Sequence, residues 1–396
     1  MTKAETLLTL ARSALLWAAP RAAPAARPRR VLVLGYGAVG DTIFFLPFLE
    51  ALKKELEPER LVFLANASPV TRELVPATGL VDEVMIHELD GGDRAGVNAW
   101  IRAQGFDLAV LSLSSPADYF QPALAGVPLR AGHLRVLPAG GSLWARLRWA
   151  LVVGEFARRA LLNRAAWIRE ASEPASARNL RLLSALGLPP RPAAERPRLP
   201  LGQEQRGFAA TQLGPKTKRR VGVHLGPPVN QYHKIWDAGR FGELLARLSA
   251  LEPLDLFCVG GPGEEAALEK ARAAVPGLRS WAGRASLLET FALIETCDLF
   301  LSCDTGLAKA AAALGVPTVT LWGLSDTVEV GHQWELEKHL DVRTGIACSP
   351  CARLGMAVVG KLNYLTCGHH ACLQDMSVPF VYEAIKTRHF RKGTGT

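Results

Sequence analysis

The sequence predicts an α/β protein built from two doubly wound parallel sheets. Short apolar runs closed by glycine or a polar turn alternate with stretches of helical apolar spacing, as in parallel strands buried on both faces by crossover helices. That alternation runs twice, before residue 189 and after residue 220, with an aperiodic stretch rich in Pro, Arg and Lys between. A chain of 396 residues also exceeds what one ordinary core serves.

The first strand is Arg30-Val-Leu-Val-Leu-Gly35. Ile43, Phe44, Leu46, Leu49 and Leu52 then recur at helical spacing, predicting a helix through about Lys54. Residues 61–64, 83–86 and 108–111 read as the next strands. After residue 220 the strands are 221–225, 254–259, 299–301 and 318–322, with helices at 241–251, 264–274, 287–295 and 307–314 between them. The expected organisation is an N-terminal amphipathic helix and linker (1–30), a first Rossmann-like domain (31–188), a linker (189–220), a second Rossmann-like domain (221–375) and a C-terminal helix and tail (376–396). Such a pair is expected to hold a ligand where the carboxyl ends of the two sheets face one another across a cleft.

Hydrophobic content of 49% and charged content of 21% describe a globular chain and exclude a disordered one. The formal charge of +9 calls for an anionic partner without choosing between nucleic acid, phosphorylated lipid and nucleotide phosphates. Interleaved aromatic–basic RNA motifs are missing, which argues against nucleic acid. No run reaches the roughly 18 apolar residues of a membrane span. Glu5 and Arg12 interrupt the opening apolar stretch and no cleavage site follows, so the chain is expected to be cytoplasmic. Seven cysteines, an odd number with four crowded into residues 348–372, fit a reducing compartment.

Gly35-Tyr-Gly37-Ala-Val-Gly40 matches the dinucleotide fingerprint and sits between strand and helix, so an NAD-dependent oxidoreductase is one reading. Two features oppose it. The second strand ends at Ala65-Asn66 with no carboxylate for a ribose, and Asp41 occupies the helix start where a pyrophosphate would lie. A carboxylate there suits a general base, since the positive helix end favours its ionised form. The plain alternative is a helix cap.

With these motifs in view, the chain resembles glycosyltransferase family 9, the heptosyltransferases of lipopolysaccharide core assembly. The likeness begins at residues 31–50 with a strand, a glycine turn, Gly40-Asp41 and a helix containing Pro47. It resumes at His224-Leu-Gly226 and Lys234-Ile-Trp236. It is strongest at Gly283-Arg-Ala-Ser-Leu287, Asp304-Thr-Gly-Leu307 and Gly315-Val-Pro-Thr318, and extends to Cys348-Ser-Pro-Cys351 and Cys372-Leu.

The resemblance implies the GT-B architecture and an inverting, metal-independent sugar transfer from a nucleotide-diphosphate donor, by default ADP-heptose, to a lipid-linked acceptor. It makes Asp41 the base, flanked by an acceptor-side loop with Gly37 and Gly40. It makes Lys234 the cation on the donor diphosphate. It makes Asp304, Thr305, Gly306 and Leu307 the turn whose helix amides receive that diphosphate. Glu264 stands where such proteins bind the nucleoside ribose, although Glu265 would serve equally. Lys309 occupies a place where the family usually has histidine, and is expected to add positive charge on the donor side. Residues 226–233 lack the paired hydroxyls often found before the lysine. A helix N-cap explains Asp304 and Thr305 as simply, and a solvated surface lysine Lys234.

Six arginines (146, 148, 158, 159, 164 and 169) and Trp144, Trp149 and Trp167 lie within residues 143–170. On a helix, that mixture suits the edge of an anionic bilayer, giving peripheral contact at the inner face of the cytoplasmic membrane; a basic surface helix is the alternative. Cys348, Cys351, Cys367 and Cys372 resemble a structural zinc or iron site, against plain reduced cysteines. A non-catalytic sugar-nucleotide binder is the third functional class beside transferase and oxidoreductase.

Overall fold

The computed structural model describes residues 27–35, 37–87, 94–112, 116–135, 155–168, 173–192, 196–226, 234–351 and 367–390. The expected helix at 4–17 and Trp144 and Trp149 lie outside them. The described residues divide after Pro197 into two compact lobes, each with a sheet and a core of its own.

In the first lobe, β1 (Arg30–Leu34), β2 (Arg60–Ala65), β3 (Glu83–Ile86), β4 (Leu108–Leu111), β5 (Leu129–Arg135) and β6 (Arg164–Ile168) form one sheet in the order β3-β2-β1-β4-β5-β6. All its pairings are parallel. The helices are α1 (Val39–Leu56), α2 (Arg94–Gln104), α3 (Pro116–Leu124), α4 (Glu155–Leu161) and α5 (Ala175–Ala185). The order reverses between β1 and β4, the neighbours in register at Val31–Leu108, and this reversal is where doubly wound sheets bind ligands.

Apolar strands account for the sheet. Leu32, Leu34, Val62, Leu64, Ala109 and Leu111 share a core with Val97 and Ile101 of α2. Gly35 has a packing cause: any Cβ there would collide with the Phe63 ring on β2. The first glycine of the fingerprint is thus fixed by strand packing, with no cofactor needed to explain it. Helix α1 is buried along most of its length. Pro47 inside it cannot donate to the preceding turn, and Asn179 of α5 donates to the Phe44 carbonyl at 3.1 Å, docking the helix.

The apolar pattern of the sequence does not reveal β5 and β6. In β5 the buried run is broken by Arg130 and His133, whose burial is satisfied in ways such a pattern cannot announce. Arg130 donates to the carbonyls of Leu161 and Val127, both at 2.6 Å, and His133 Nε2 lies 3.1 Å from the Arg178 carbonyl. The helix expected across 143–170 is also corrected: α4 ends at Leu161, and Arg164–Ile168 is a strand paired with β5.

The second lobe opens with α6 (Gln203–Leu213), inside the stretch expected to be a linker. Only Ala209 and Leu213 of α6 are buried, so it has almost no apolar stripe to read. Arg206 anchors it through a two-pronged pair with Glu295, at 2.7 and 2.9 Å. The sheet contains β7 (Arg219–His224), β8 (Leu254–Cys258), β9 (Arg279–Ser280), β10 (Leu299–Cys303), β11 (Thr318–Leu321) and β12 (Leu340–Val342), in the order β12-β11-β10-β7-β8-β9. It too is parallel throughout, and reverses between β7 and β10. Helices α7 (Ala238–Ser249), α8 (Glu265–Arg272), α9 (Leu287–Glu295), α10 (Gly306–Ala313), α11 (Thr327–Val330), α12 (Ala371–Gln374) and α13 (Val378–His389) accompany it. Within the segment expected as a C-terminal helix and tail, α13 joins this core, since Val378, Val381 and Ile385 pack with Phe241 and Leu244 of α7.

Candidate functional site

In the second lobe the chain leaves β7 and β10 in opposite directions, so the loops at their carboxyl ends diverge and leave a crevice. His224 ends β7, the turn Gly260–Glu264 follows β8, and Asp304-Thr305 follow β10. Thr305 is the N-cap of α10: its backbone is extended and its Oγ1 accepts the Ala308 N–H at 3.4 Å. Gly306 and Leu307 start the helix, whose first amides have no partners within it.

A chain of hydrogen bonds joins these loops. Ser302 Oγ lies 2.9 Å from Thr305 Oγ1, Thr305 Oγ1 lies 3.1 Å from His224 Nδ1, and His224 Nε2 lies 3.2 Å from Glu264 Oε1. The Gly261 N–H also donates to Glu264 Oε1, at 2.8 Å. A carboxylate oxygen accepts, so His224 donates to Glu264 from Nε2 and turns Nδ1 toward the Thr305 hydroxyl. Among the described residues Glu264 Oε2 is buried without a partner, a costly state that a ligand hydroxyl would relieve. Gly260 makes room for this carboxylate, because a Cβ there would strike it. Glu264 stands at the N-cap of α8 without capping it, while Glu265 is exposed. The two adjacent glutamates are thereby told apart.

Asp304 is held by two ammonium groups: Lys234 Nζ at 2.8 Å from Oδ2 and Lys309 Nζ at 2.5 Å from Oδ1. Burial alone would push the Asp304 carboxyl up, but Lys309 and Lys234 outweigh it and hold it below the usual carboxylate range. Burial pulls Lys309 down, against the attraction of Asp304. Lys309 also sits 4.3 Å from the centroid of the Trp322 ring, a cation–π contact. Lys234 is placed by Trp236, a fully buried side chain that donates to the Met376 carbonyl at 2.8 Å and meets Phe241 edge-on at 4.9 Å. Residues 227–233, where paired hydroxyls are expected to be missing, are outside the described residues. The sequence does not announce Ser302, Trp322 or the bridging role of His224; a histidine closing a switch strand is the one signal it offers.

In the first lobe, Asp41 is exposed in the first turn of α1, directly after the switch strand β1. The N-cap position is held by Ala38, which has no side-chain cap, and Asp41 stands three residues further on, at N3. Gly37 passes close to β2's exit: a Cβ there would come 3.0 Å from Ser68 Oγ. Gly40 is the second residue of α1.

The four clustered cysteines are free thiols: Cys348 exposed, Cys351 and Cys367 half-buried, Cys372 buried. Burial, reinforced by the neighbouring thiols, pushes Cys372 up to about 11. Cys351 is raised by burial and by Cys348 and Cys367, so the four lie within reach of one another's charge. Among the described residues no group of three or more His, Cys, Asp or Glu is arranged to hold a metal ion. Of the basic segment, Arg158 is buried against Tyr119 and Arg159 stacks on Trp167, both with 5.1 Å to the ring centroid. No helix of the described residues is long and apolar enough to cross a membrane.

The model of glycosyltransferase family 9 (heptosyltransferase) matches residues 152–356, just over half of the chain. Lipooligosaccharide heptosyltransferase 2 of Campylobacter jejuni is 26% identical over 177 residues, covering 43% of this chain and 50% of that protein. The chain spans only a third to a half of the length of the curated relatives it matches. Among solved structures, the Escherichia coli ADP-heptose LPS heptosyltransferase II has a TM-score of 0.66 at 20% identity, over 90% of this chain and 98% of that one. The dodecameric iron-containing heptosyltransferase TibC of enterotoxigenic E. coli has a TM-score of 0.53 at 14% identity, over 92% and 78%. The two doubly wound lobes are the GT-B fold of these proteins.

Proposed function

Since the chain belongs to glycosyltransferase family 9, we propose that it is an inverting glycosyltransferase that moves a sugar, by default a heptose, from a nucleoside-diphosphate donor to a lipid-linked acceptor of the lipopolysaccharide-core type. The donor lies on the second lobe. Glu264 accepts the ribose hydroxyls, the α10 amides at Thr305–Leu307 receive the diphosphate, and Lys234 neutralises it. Asp41 of the first lobe takes the proton of the acceptor hydroxyl. The acceptor oxygen then bonds to the anomeric carbon as its bond to the diphosphate breaks, the electron pair leaves with the diphosphate, and one displacement inverts the centre.

One observation carries this reading: a buried carboxylate oxygen of Glu264 without a partner among the described residues, tied through His224 to the cap of a helix whose first amides have no partners within it. The charge on the leaving group is met by Lys234 and the helix end, so we take turnover to need no metal. A nicotinamide enzyme is not favoured, because Gly35 is explained by Phe63 and β2 ends without a carboxylate.

ADP-, UDP-, GDP- and dTDP-sugars compared by thermal shift should single out the true donor by the stabilisation it gives. Asp41→Asn should keep that shift and lose turnover by roughly a thousandfold. Undiminished turnover in this variant, or a shift with NAD alone, defeats the proposal; binding without turnover in the wild type leaves a non-catalytic binder.

The fold neighbour TibC is described as iron-containing, and four free thiols, Cys348, Cys351, Cys367 and Cys372, crowd into residues 348–372. Among the described residues they form no group arranged to hold a metal ion, so binding would require them to rearrange. We place a structural iron or zinc there; elemental analysis of the purified chain finding neither removes it. We also place the first lobe against the inner face of the cytoplasmic membrane, supported by the exposed Trp167 and the arginines around it.

A further inference from the structure

Asp304 binds two cations that are not equivalent. The Lys309 side chain is 5% exposed, closed in by Asp304 and by the face of Trp322. Asp341, which accepts from Trp322 Nε1 at 2.6 Å, adds a second negative charge felt by Lys309. The Lys234 side chain is 26% exposed. A phosphate group can therefore approach Lys234 from solvent, whereas reaching Lys309 would require opening a buried ion pair.

We propose that Lys309 is a positioning residue that acts on the donor diphosphate through Asp304 and does not touch it. This rests on the donor-site reading above and deepens it. Lys234, Asp304 and Lys309 sum to one positive charge, presented at Lys234. Without the Lys309 ammonium the sum is zero. Asp304, 2.8 Å from Lys234, would then cancel the cation that should meet the diphosphate and would itself repel the ligand. Lys309 thus frees Lys234 for its task, and the Trp322 face lets it stay charged while buried.

The test is calorimetric, on the full chain, with ADP, UDP and GDP and their nucleosides. The wild type should bind one diphosphate more tightly than its nucleoside. Lys309→Met should weaken the diphosphate about tenfold and leave the nucleoside unchanged, a control that also reports folding. Lys309→Met combined with Asp304→Asn restores the single positive charge and should return to within about threefold of wild type. Asp304→Asn alone should bind the diphosphate at least as tightly as wild type. A double variant as weak as Lys309→Met means that Lys309 contacts phosphate itself, and overturns the proposal. So does a single Lys309→Met that binds like wild type, or an Asp304→Asn weakened for the diphosphate alone. A Lys234→Met chain with undiminished diphosphate affinity, or a wild type binding none of the three, would refute the donor-site reading instead.

Discussion

His332 and His339 stack with ring centroids 4.2 Å apart, both within hydrogen-bond reach of Thr318 Oγ1 at 2.9 Å. Burial pushes His332 down to about 2 and His339 down to about 4. In the unfolded chain both titrate near 6.5, so acid favours unfolding. Their contribution to stability is complete above about pH 6.5 and erodes as pH falls toward 4, by up to about 1.4 kcal/mol per pH unit for each ring. His133, lowered to about 3 by the same cause, adds the same sign in the first lobe. Denaturant midpoints measured between about pH 7.5 and pH 4.5 should therefore fall, and His332→Gln should flatten that fall. Identical slopes for the two chains would show that His332 is not part of it. At this scale the sequence is a partial guide. Asp304 and Thr305 can be marked from their motif, whereas the burial of the Lys309 ammonium between Asp304 and Trp322 leaves no trace in it.

Strands and helices show the same boundary. Residues 108–111 and 287–295 are legible to the residue, because a wholly apolar strand and an evenly spaced helix leave one reading, and so is 83–86, where Glu83 opens an otherwise apolar strand. Strand β6 is not, since Arg164-Ala-Ala-Trp-Ile168 mixes polar, small and aromatic residues at a sheet edge. Its placement nevertheless sharpens the membrane proposal. Trp167 is 45% exposed, with Arg159 stacked on it and Arg164 at the start of the same strand. The full chain should co-sediment with anionic phosphatidylglycerol vesicles, and changing Trp167→Ala with Arg159→Gln and Arg164→Gln should weaken that roughly tenfold. Undiminished sedimentation of the triple variant would leave Trp167 an ordinary surface residue.

Across the whole molecule, the doubling of the α/β pattern is what the sequence makes plainest, and the two sheets repeat one strand order about their own reversal points. The boundary is less legible, because α6 buries too little to betray itself. Each lobe encloses its own core. On the proposed reading, the two chemical tasks therefore sit on separately packed scaffolds. Loops of the amino-terminal half can be rewritten for a new saccharide to be lengthened without disturbing the nucleotide grip. The fold is in that sense modular, open to diversification one ligand at a time.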